Sequence, residues 1–365
     1  MQPSFFDQEN RLAQLEKLGD PLPRLDSIVD WDEFKPILKM IYQKKRKSNA
    51  GRKPWDTVLM FKMLVLQSLY NLSDDQTEYQ VRDRLSFHRF LGLNPDDTVP
   101  DSKTLWLFRE QLAQHGLVEK LFDAFDQQLW YSGFIPKGGQ IIDASLVNVP
   151  KNRNKRDENK AIKEGNTPEG WDEKPNMKCQ KDLDARWTKK HGKSHYGYKN
   201  HISIDKQDKL IRRYKVTNAA VHDSQVFDEV LDEENSGRSV WADSAYRSEK
   251  QEKQLKEKGY TSRIHYKGTR ARALNKREQT ANHARSKTRV RVEHVFGDQS
   301  NTQGGILVLT KGMARAAVKI GMMNLTYNMR RLRFLLRDQS VQCAGLRDIW
   351  RNPGEIMKNL MKICR

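Results

Sequence analysis

The apolar residues of this chain change their period at Lys137-Gly138-Gly139, and that change limits the fold more than any other feature. Before it the spacing is helical. Val58, Met60, Phe61, Met63, Leu64, Leu66 and Leu69 form one such run, which opens just after Pro54. Asn71-Leu-Ser-Asp-Asp closes the run and supplies caps for a second helix over roughly 75–91. A turn at Asn94-Pro-Asp-Asp leads into a third helix, capped by Asp101 or Ser102 and stopped by Gly116. A fourth covers roughly 118–131. Beyond Gly139 the pattern is extended, and Gln140-Ile-Ile-Asp-Ala-Ser-Leu-Val-Asn-Val reads as a strand ended by Pro150.

Residues 151–193 then lose all periodicity and are rich in Lys, Asn, Asp and Glu, which predicts a long polar loop or a disordered insertion. Tyr196–Asp205 and Leu210–Thr217 alternate around a turn at Lys206-Gln-Asp and predict a hairpin. A helix over 223–231, a short strand at Val240-Trp-Ala-Asp, a charged helix over 248–258 and a strand over 261–266 follow. Two helices, over about 281–299 and 313–336, complete the pattern. The expected class is therefore α/β, a mixed sheet flanked by helices. An all-α region covers 1–136, the sheet domain 137–305 with its polar insertion 151–193, and a C-terminal helical region 306–365.

A formal charge of +19 and a pI near 9.7 call for a polyanionic partner, because cations that neutralise phosphates release condensed counterions. Lys267–Arg291 holds nine basic residues and one acidic one, a stretch suited to following a DNA backbone. Lys44-Lys-Arg-Lys and Gly51-Arg-Lys-Pro form a second basic feature. It is either a minor-groove arm, with Arg52 and Lys53 inserted, or a plain linker. The first three helices, with a tight turn before the third, are compatible with a helix-turn-helix, which would put Ser102, Lys103, Thr104 and Arg109 on the recognition helix. An ordinary bundle bracing the sheet domain fits the same pattern.

Cys179, Cys343 and Cys364 exclude a disulfide framework and a paired-cysteine zinc site, and they suit a reducing cytosol. His191, His195 and His201 do not complete a zinc site without such a pair. Trp171 and Trp187, stranded in the polar segment, are open to stacking on an unpaired base or to folding onto a partner subunit. The sequence shows no secretory signal and no membrane-spanning stretch, and the expected location is cytoplasmic.

Three acids stand out by context. Asp143 interrupts the apolar run Ile141-Ile142-Asp143-Ala144, and Asp243 ends Val240-Trp241-Ala242-Asp243. A carboxylate in a buried strand costs several kcal/mol unless it is paired or ligates a metal. Glu293 borders the apolar stripe Val292, Val295 and Phe296 and lies one helical turn after Arg289. Such acids are suited to Mg²⁺, though each is equally open to local capping or pairing. His222 and Asp223 open a helix. Asp223 reads as its cap, and His222 is a candidate to support a metal ligand from behind.

Taken together, Ile142-Asp-Ala-Ser, Asn218-Ala-Ala-Val-His-Asp-Ser, Trp241-Ala-Asp-Ser-Ala-Tyr-Arg-Ser and Arg289-Val-Arg-Val-Glu-His-Val-Phe-Gly resemble the bacterial insertion-sequence transposases of the IS-five family. Ala50-Gly-Arg-Lys-Pro, Leu69-Tyr-Asn-Leu-Ser-Asp and Pro100-Asp-Ser-Lys-Thr extend the resemblance, which spans roughly 5–333. It implies an RNase H-like catalytic domain whose acidic triad is Asp143, Asp243 and Glu293. It also implies two divalent ions (Mg²⁺, with Mn²⁺ able to substitute), and double-stranded DNA as partner, both as element ends and as target. Nicking at inverted repeats, joining to target, a homodimer in the DNA complex and association with the bacterial nucleoid complete the implied picture. The signature around the glutamate in such enzymes runs Tyr, two residues, Arg, three residues, Glu, six residues, Lys. Here Ser286 and Ser300 occupy the outer places, so Lys287, Arg291 or Lys311 would supply the missing phosphate contact.

Overall fold

The computed structural model describes residues 7–42, 53–94, 96–149, 152–190, 192–269, 272–305 and 307–337. Arg52, the basic run at 44–47, Pro95, Pro150, His191, Cys343 and Cys364 lie outside the described residues.

The first region contains α1 (Asp7–Lys17), α2 (Leu22–Ile28), α3 (Lys35–Lys39), α4 (Thr57–Leu69), α5 (Asp74–Asp83), α6 (Leu85–Leu91), α7 (Ser102–His115) and α8 (Leu117–Tyr131). Local chemistry sets their ends. The Asp56 carboxylate accepts from Leu59 N at 2.9 Å to start α4, and Asp101 accepts from Thr104 N at 2.7 Å to start α7. Ser73 and Gln76 form a reciprocal capping box on α5. The helix expected over 75–91 is broken at Arg84, whose extended backbone redirects Phe87, Phe90 and Leu91 into the core.

The second region supplies β1 (Gln140–Asn148), α9 (Arg156–Lys163), α10 (Pro175–Lys178), β2 (Arg186–Lys190), β3 (Lys193–Asp205), β4 (Ile211–Asn218), α11 (Phe227–Val230), β5 (Ser239–Trp241), α12 (Glu249–Glu257), β6 (Thr261–Ser262), α13 (Lys276–Gln303) and α14 (Met313–Leu335). The sheet runs β2-β3-β1-β5-β6, with β4 also on β3. β1, β3 and β4 are antiparallel, whereas β1, β5 and β6 are parallel. This is the strand order of an RNase H-like sheet. Gly197 lies where β3 pairs with both β1 and β2, and a Cβ there would fall 2.2 Å from the Val147 carbonyl oxygen. Only glycine fits so close an approach. The strand expected over 261–266 is confined to two residues, and the helix expected over 281–299 extends from an Asn275–Glu278 capping box to Gly304.

Helices cover both faces of the sheet. On one side Ile142, Val240 and Ala242 pack with Phe227, Val230, Leu255 and Ile264. On the other, Ile141, Ile202 and Trp241 share a single core with α4, α7, α8, α13 and α14. α14 is the centre of that core, with Met322, Leu325, Met329 and Leu332 all buried.

The polar segment 151–193 is more ordered than its composition predicts. Trp171 is only 1% exposed, its indole donating to Glu158 at 3.0 Å while Lys181 holds the same carboxylate at 3.1 Å. The Asp182 carboxylate accepts from Tyr198 Oη, Asp184 N and Ala185 N. Trp187 packs on Tyr196 with ring centroids 5.1 Å apart. Acids that organise nearby donors replace the apolar core that the segment lacks, so neither Trp171 nor Trp187 stands free.

A buried cation ties the helical region to the sheet. Arg212 of β4 is 1% exposed and donates to Asp205 at 3.2 Å, to Asp126 of α8 at 2.9 Å and to the Phe134 carbonyl at 2.6 Å. Asp205 also accepts from Leu210 N at 3.2 Å, which shapes the β3–β4 turn. Breaking a buried ion pair from one side costs about 3–5 kcal/mol. Asp205→Ala is expected to lose that much in urea denaturation.

His201 on β3 is fully buried, with Nε2 2.9 Å from Thr217 Oγ1. Burial lowers its pKa to about 4; Lys199 adds to the fall, and Asp223 and Glu229 oppose it. The folded chain thus keeps His201 neutral while the unfolded chain protonates near pH 6.5. Its stabilisation is complete above pH 6.5 and is lost as pH falls towards 4. Between pH 7 and about pH 4.5, the wild type should lose roughly 2–3 kcal/mol more stability than His201→Gln.

Candidate active site

β1 and β5 run parallel with Ile141 opposite Trp241. Side chains alternate between faces with a period of two. Asp143 and Asp243, each two residues further on, therefore reach the same face side by side. The backbone fixes both: Asp143 Oδ1 accepts from Ala144 N at 2.8 Å, and Asp243 Oδ1 accepts from Ser244 N at 2.6 Å.

α13 crosses this face, anchored by buried Val292 and Val295. Its Arg289 donates to Asp143 Oδ2 at 2.7 Å and lies 3.7 Å from Asp243 Oδ1, so one guanidinium spans both acids. Arg289 Nε is buried without a hydrogen-bond partner among the described residues. Burial raises the Asp143 pKa above the usual carboxylate value, and Arg289 opposes that rise. His265 lies behind Asp243, with Nδ1 3.9 Å from its carboxylate and Nε2 3.4 Å from Ser286 Oγ. Burial, followed by Arg289, lowers the His265 pKa. Tyr246 is buried beside the same acids; desolvation, together with Asp223, Asp143 and Asp243, pushes its phenol up. Nothing in the sequence singled out His265, because only the sheet brings it to Asp243, whereas Tyr246 stands in the same turn as Asp243, its amide donating to the Asp243 carbonyl at 3.0 Å.

Glu293 is exposed one turn beyond Arg289. Among the described residues, no three His, Cys, Asp or Glu side chains are gathered closely enough to hold a metal ion. The structure thus joins Asp143 to Asp243 and places Glu293 on the helix above them. The donor chemistry fits a hard divalent ion: the acids offer anionic oxygens, one of them desolvated, and a cation already spans them.

The other candidates are dispersed. Lys287 is exposed on α13, two residues before Arg289 and so on a different side of the helix, whereas Arg291 donates to the Lys206 carbonyl at 2.8 Å. Lys311 donates to the Cys179 carbonyl at 2.6 Å, against the polar segment. On α7, Arg109 faces inward and grips Asp74 at 2.6 and 2.8 Å. Lys103 is exposed, Thr104 is half-buried, and the Ser102 amide donates to Glu78. Lys53 is exposed ahead of α4. His222 caps its own turn through Ser224 N and makes no contact with Asp143 or Asp243.

A family model described as "Transposase DDE domain" matches residues 135–329, more than half of the chain and all six strands. The chain belongs to the DDE transposases. A second model, "Transposase domain (DUF772)", matches residues 10–111 of this transposase, α1 through most of α7. A solved structure titled as a cryo-EM structure of a piggyBac transposase synaptic complex with hairpin DNA matches at 15% identity and a TM-score of 0.45, covering 94% of this chain and 82% of that one. The RNase H-like assignment rests on the strand order and the DDE family match. No helix among the described residues of the transposase is long and apolar enough to cross a membrane.

The contact between Arg289 and Asp143 is open to a double-mutant cycle. Arg289→Gln leaves a desolvated carboxylate without its cation and should cost about 1–3 kcal/mol. Asp143→Asn with Arg289→Gln should cost less than the sum of the single changes, with a coupling above about 0.5 kcal/mol in urea denaturation.

Proposed function

We propose that this DDE transposase serves an insertion sequence of the IS-five type, binding its inverted-repeat ends, nicking them and joining the freed 3′-hydroxyl to target DNA. The observation that carries the reading is the β1–β5 register, which sets Asp143 and Asp243 side by side under Arg289. Glu293 follows on the next turn of the same helix. Asp143, Asp243 and Glu293 would hold Mg²⁺, or Mn²⁺ in its place. Bound there, two such ions activate the attacking oxygen and stabilise the leaving one in an in-line displacement at phosphorus.

The remaining roles belong to the chain. Arg289 neutralises the paired acids and keeps them from repelling one another. Lys287, exposed on α13, would hold a backbone phosphate, and Arg291 fixes α13 against the end of β3. Lys103 on α7, with Arg52 and Lys53 ahead of α4, would contact the ends, whereas Arg109 serves the bundle. Pairing two ends calls for at least two protomers, so a homodimer forms on DNA.

The test incubates purified protein with labelled DNA carrying the element's ends, with and without Mg²⁺, and compares wild type with Glu293→Gln. Metal-dependent nicks are expected in the wild type. They should fall by more than the ten- to hundredfold that losing a ligand's supporting hydrogen bond costs. Equal nicking by both proteins would remove Glu293 from the site. Tight binding with no cut by either, in Mn²⁺ as well, would favour a non-catalytic DNA-binding protein, the reading that Ser300 supports. Cutting without joined donor–target product would favour a nuclease.

A further inference from the structure

Beyond Arg289, α13 meets α14 and the β3–β4 turn around a pocket of about 260 Å³. Lys209, Arg330, Arg331 and Arg333 line it, and Asp298 is the one acid among its lining residues. Asp298 already pairs with Arg330 at 3.1 Å. Lys209 Nζ lies 3.0 Å from His294 Nδ1, and no acid pairs with it among the described residues. Burial and then the charges of Arg331 and Arg291 lower the Lys209 pKa, and burial followed by Arg330 lowers that of Arg333. The fold thus holds four cations around one cavity against a single, engaged carboxylate, an arrangement that an oxyanion would relieve.

The pocket is built rather than merely charged. Lys209 has φ +58°, a left-handed conformation unfavourable for a long side chain. Three bonds hold the turn there: Asp205 accepts from Leu210 N, Tyr327 Oη donates to the Lys209 carbonyl at 2.9 Å, and Arg331 Nε donates to the Asp208 carbonyl at 2.6 Å. Arg331 makes that last bond through Nε, and its planar fork suits phosphate oxygens. His294 lies five residues after Arg289, about 7.5 Å along the helix axis. That distance is roughly the rise of two nucleotides of one strand.

We propose that this pocket binds a phosphate group, supplied by the DNA strand that continues past the reacting bond. The proposal rests on the transposase reading only for the source of the phosphate. The test measures binding of a 30-base-pair duplex by fluorescence anisotropy between 50 and 200 mM salt. It compares wild type with Lys209→Asn, which tolerates the left-handed backbone, Arg331→Gln, the charge-preserving Arg331→Lys, and Lys253→Ala on α12 as control. Circular dichroism melts check folding. Each lost phosphate contact lowers the slope of log affinity against log salt by about 0.9. The ratio of affinities at the two salt concentrations should therefore shrink about 3.5-fold in Lys209→Asn and Arg331→Gln, and stay at the wild-type value in Arg331→Lys and Lys253→Ala.

A parallel arm follows thermal stabilisation by inorganic tripolyphosphate. Unchanged duplex slopes, with tripolyphosphate stabilisation lost in both variants, would overturn the DNA source and assign the pocket to a free phosphate. Unchanged behaviour in both arms would overturn the pocket altogether. Slope loss in a protein that never cuts DNA upholds the pocket and removes the transposase reading, so the two fail separately.

Discussion

Arg212 cannot leave its place without unpairing the buried Asp205 and the half-buried Asp126, and that constraint ties the helical region to the sheet. Its guanidinium needs Asp126 from α8, Asp205 from the end of β3 and the Phe134 carbonyl from the connection between them. A desolvated charge with three directional acceptors holds helices on sheet in one geometry, because any shift that breaks a single bond leaves a buried charge uncompensated. α14 fills the space so defined and touches the helical region and β4 together. The regions before and after residue 137 therefore share one core. Arg109 illustrates the consequence, since in a helix built into that core its guanidinium completes a polar network with Asp74 and Gln67.

The same anchoring sets the geometry of the paired acids. With β3 and β4 held by Arg212, β1 is held by β3, and the parallel pairing with β5 carries Asp243 to Asp143. Two carboxylates on one face repel unless a cation intervenes. Arg289 is that cation, and it reaches them only because buried Val292 and Val295 seat α13 against the sheet. Glu293 belongs to this arrangement through the helix rather than through a contact of its own.

Much of this was legible in the sequence, for physical reasons that differ from element to element. An acid inside Ile141-Ile142-Asp143-Ala144 is conspicuous because burying it is expensive, but its neighbours left it equally open to local pairing, and only the family resemblance joined it to Asp243 and Glu293. The hairpin and α14 were equally visible, because their patterns extend over many residues. The break at Arg84 was not, since α5 and α6 carry one continuous helical pattern and only packing demands the turn. The polar segment was misread because its order comes from Asp182 and Glu158 organising nearby donors, a pattern that composition hides. His265 was invisible for a third reason: its relation to Asp243 exists only once the sheet brings the segment after β6 beside the end of β5.

The distribution of charge follows the same logic. The run Lys267–Arg291 announces its charge because its cations are neighbours in the chain, and exposed neighbours repel weakly through water. Lys209, Arg330, Arg331 and Arg333 come from segments about 120 residues apart, and tertiary structure brings them together at some cost to stability. A fold tolerates such a cost where a partner removes it. The strained backbone at Lys209 points the same way, since ordinary turn chemistry would place Gly or Asn there. For a polyanion crossing the acids, as proposed, the dense cations before Arg289 would supply attraction over a distance. On the proposed reading the fixed cations beyond Glu293 would supply register, and register would present one phosphodiester, rather than its neighbour, to Asp143 and Asp243.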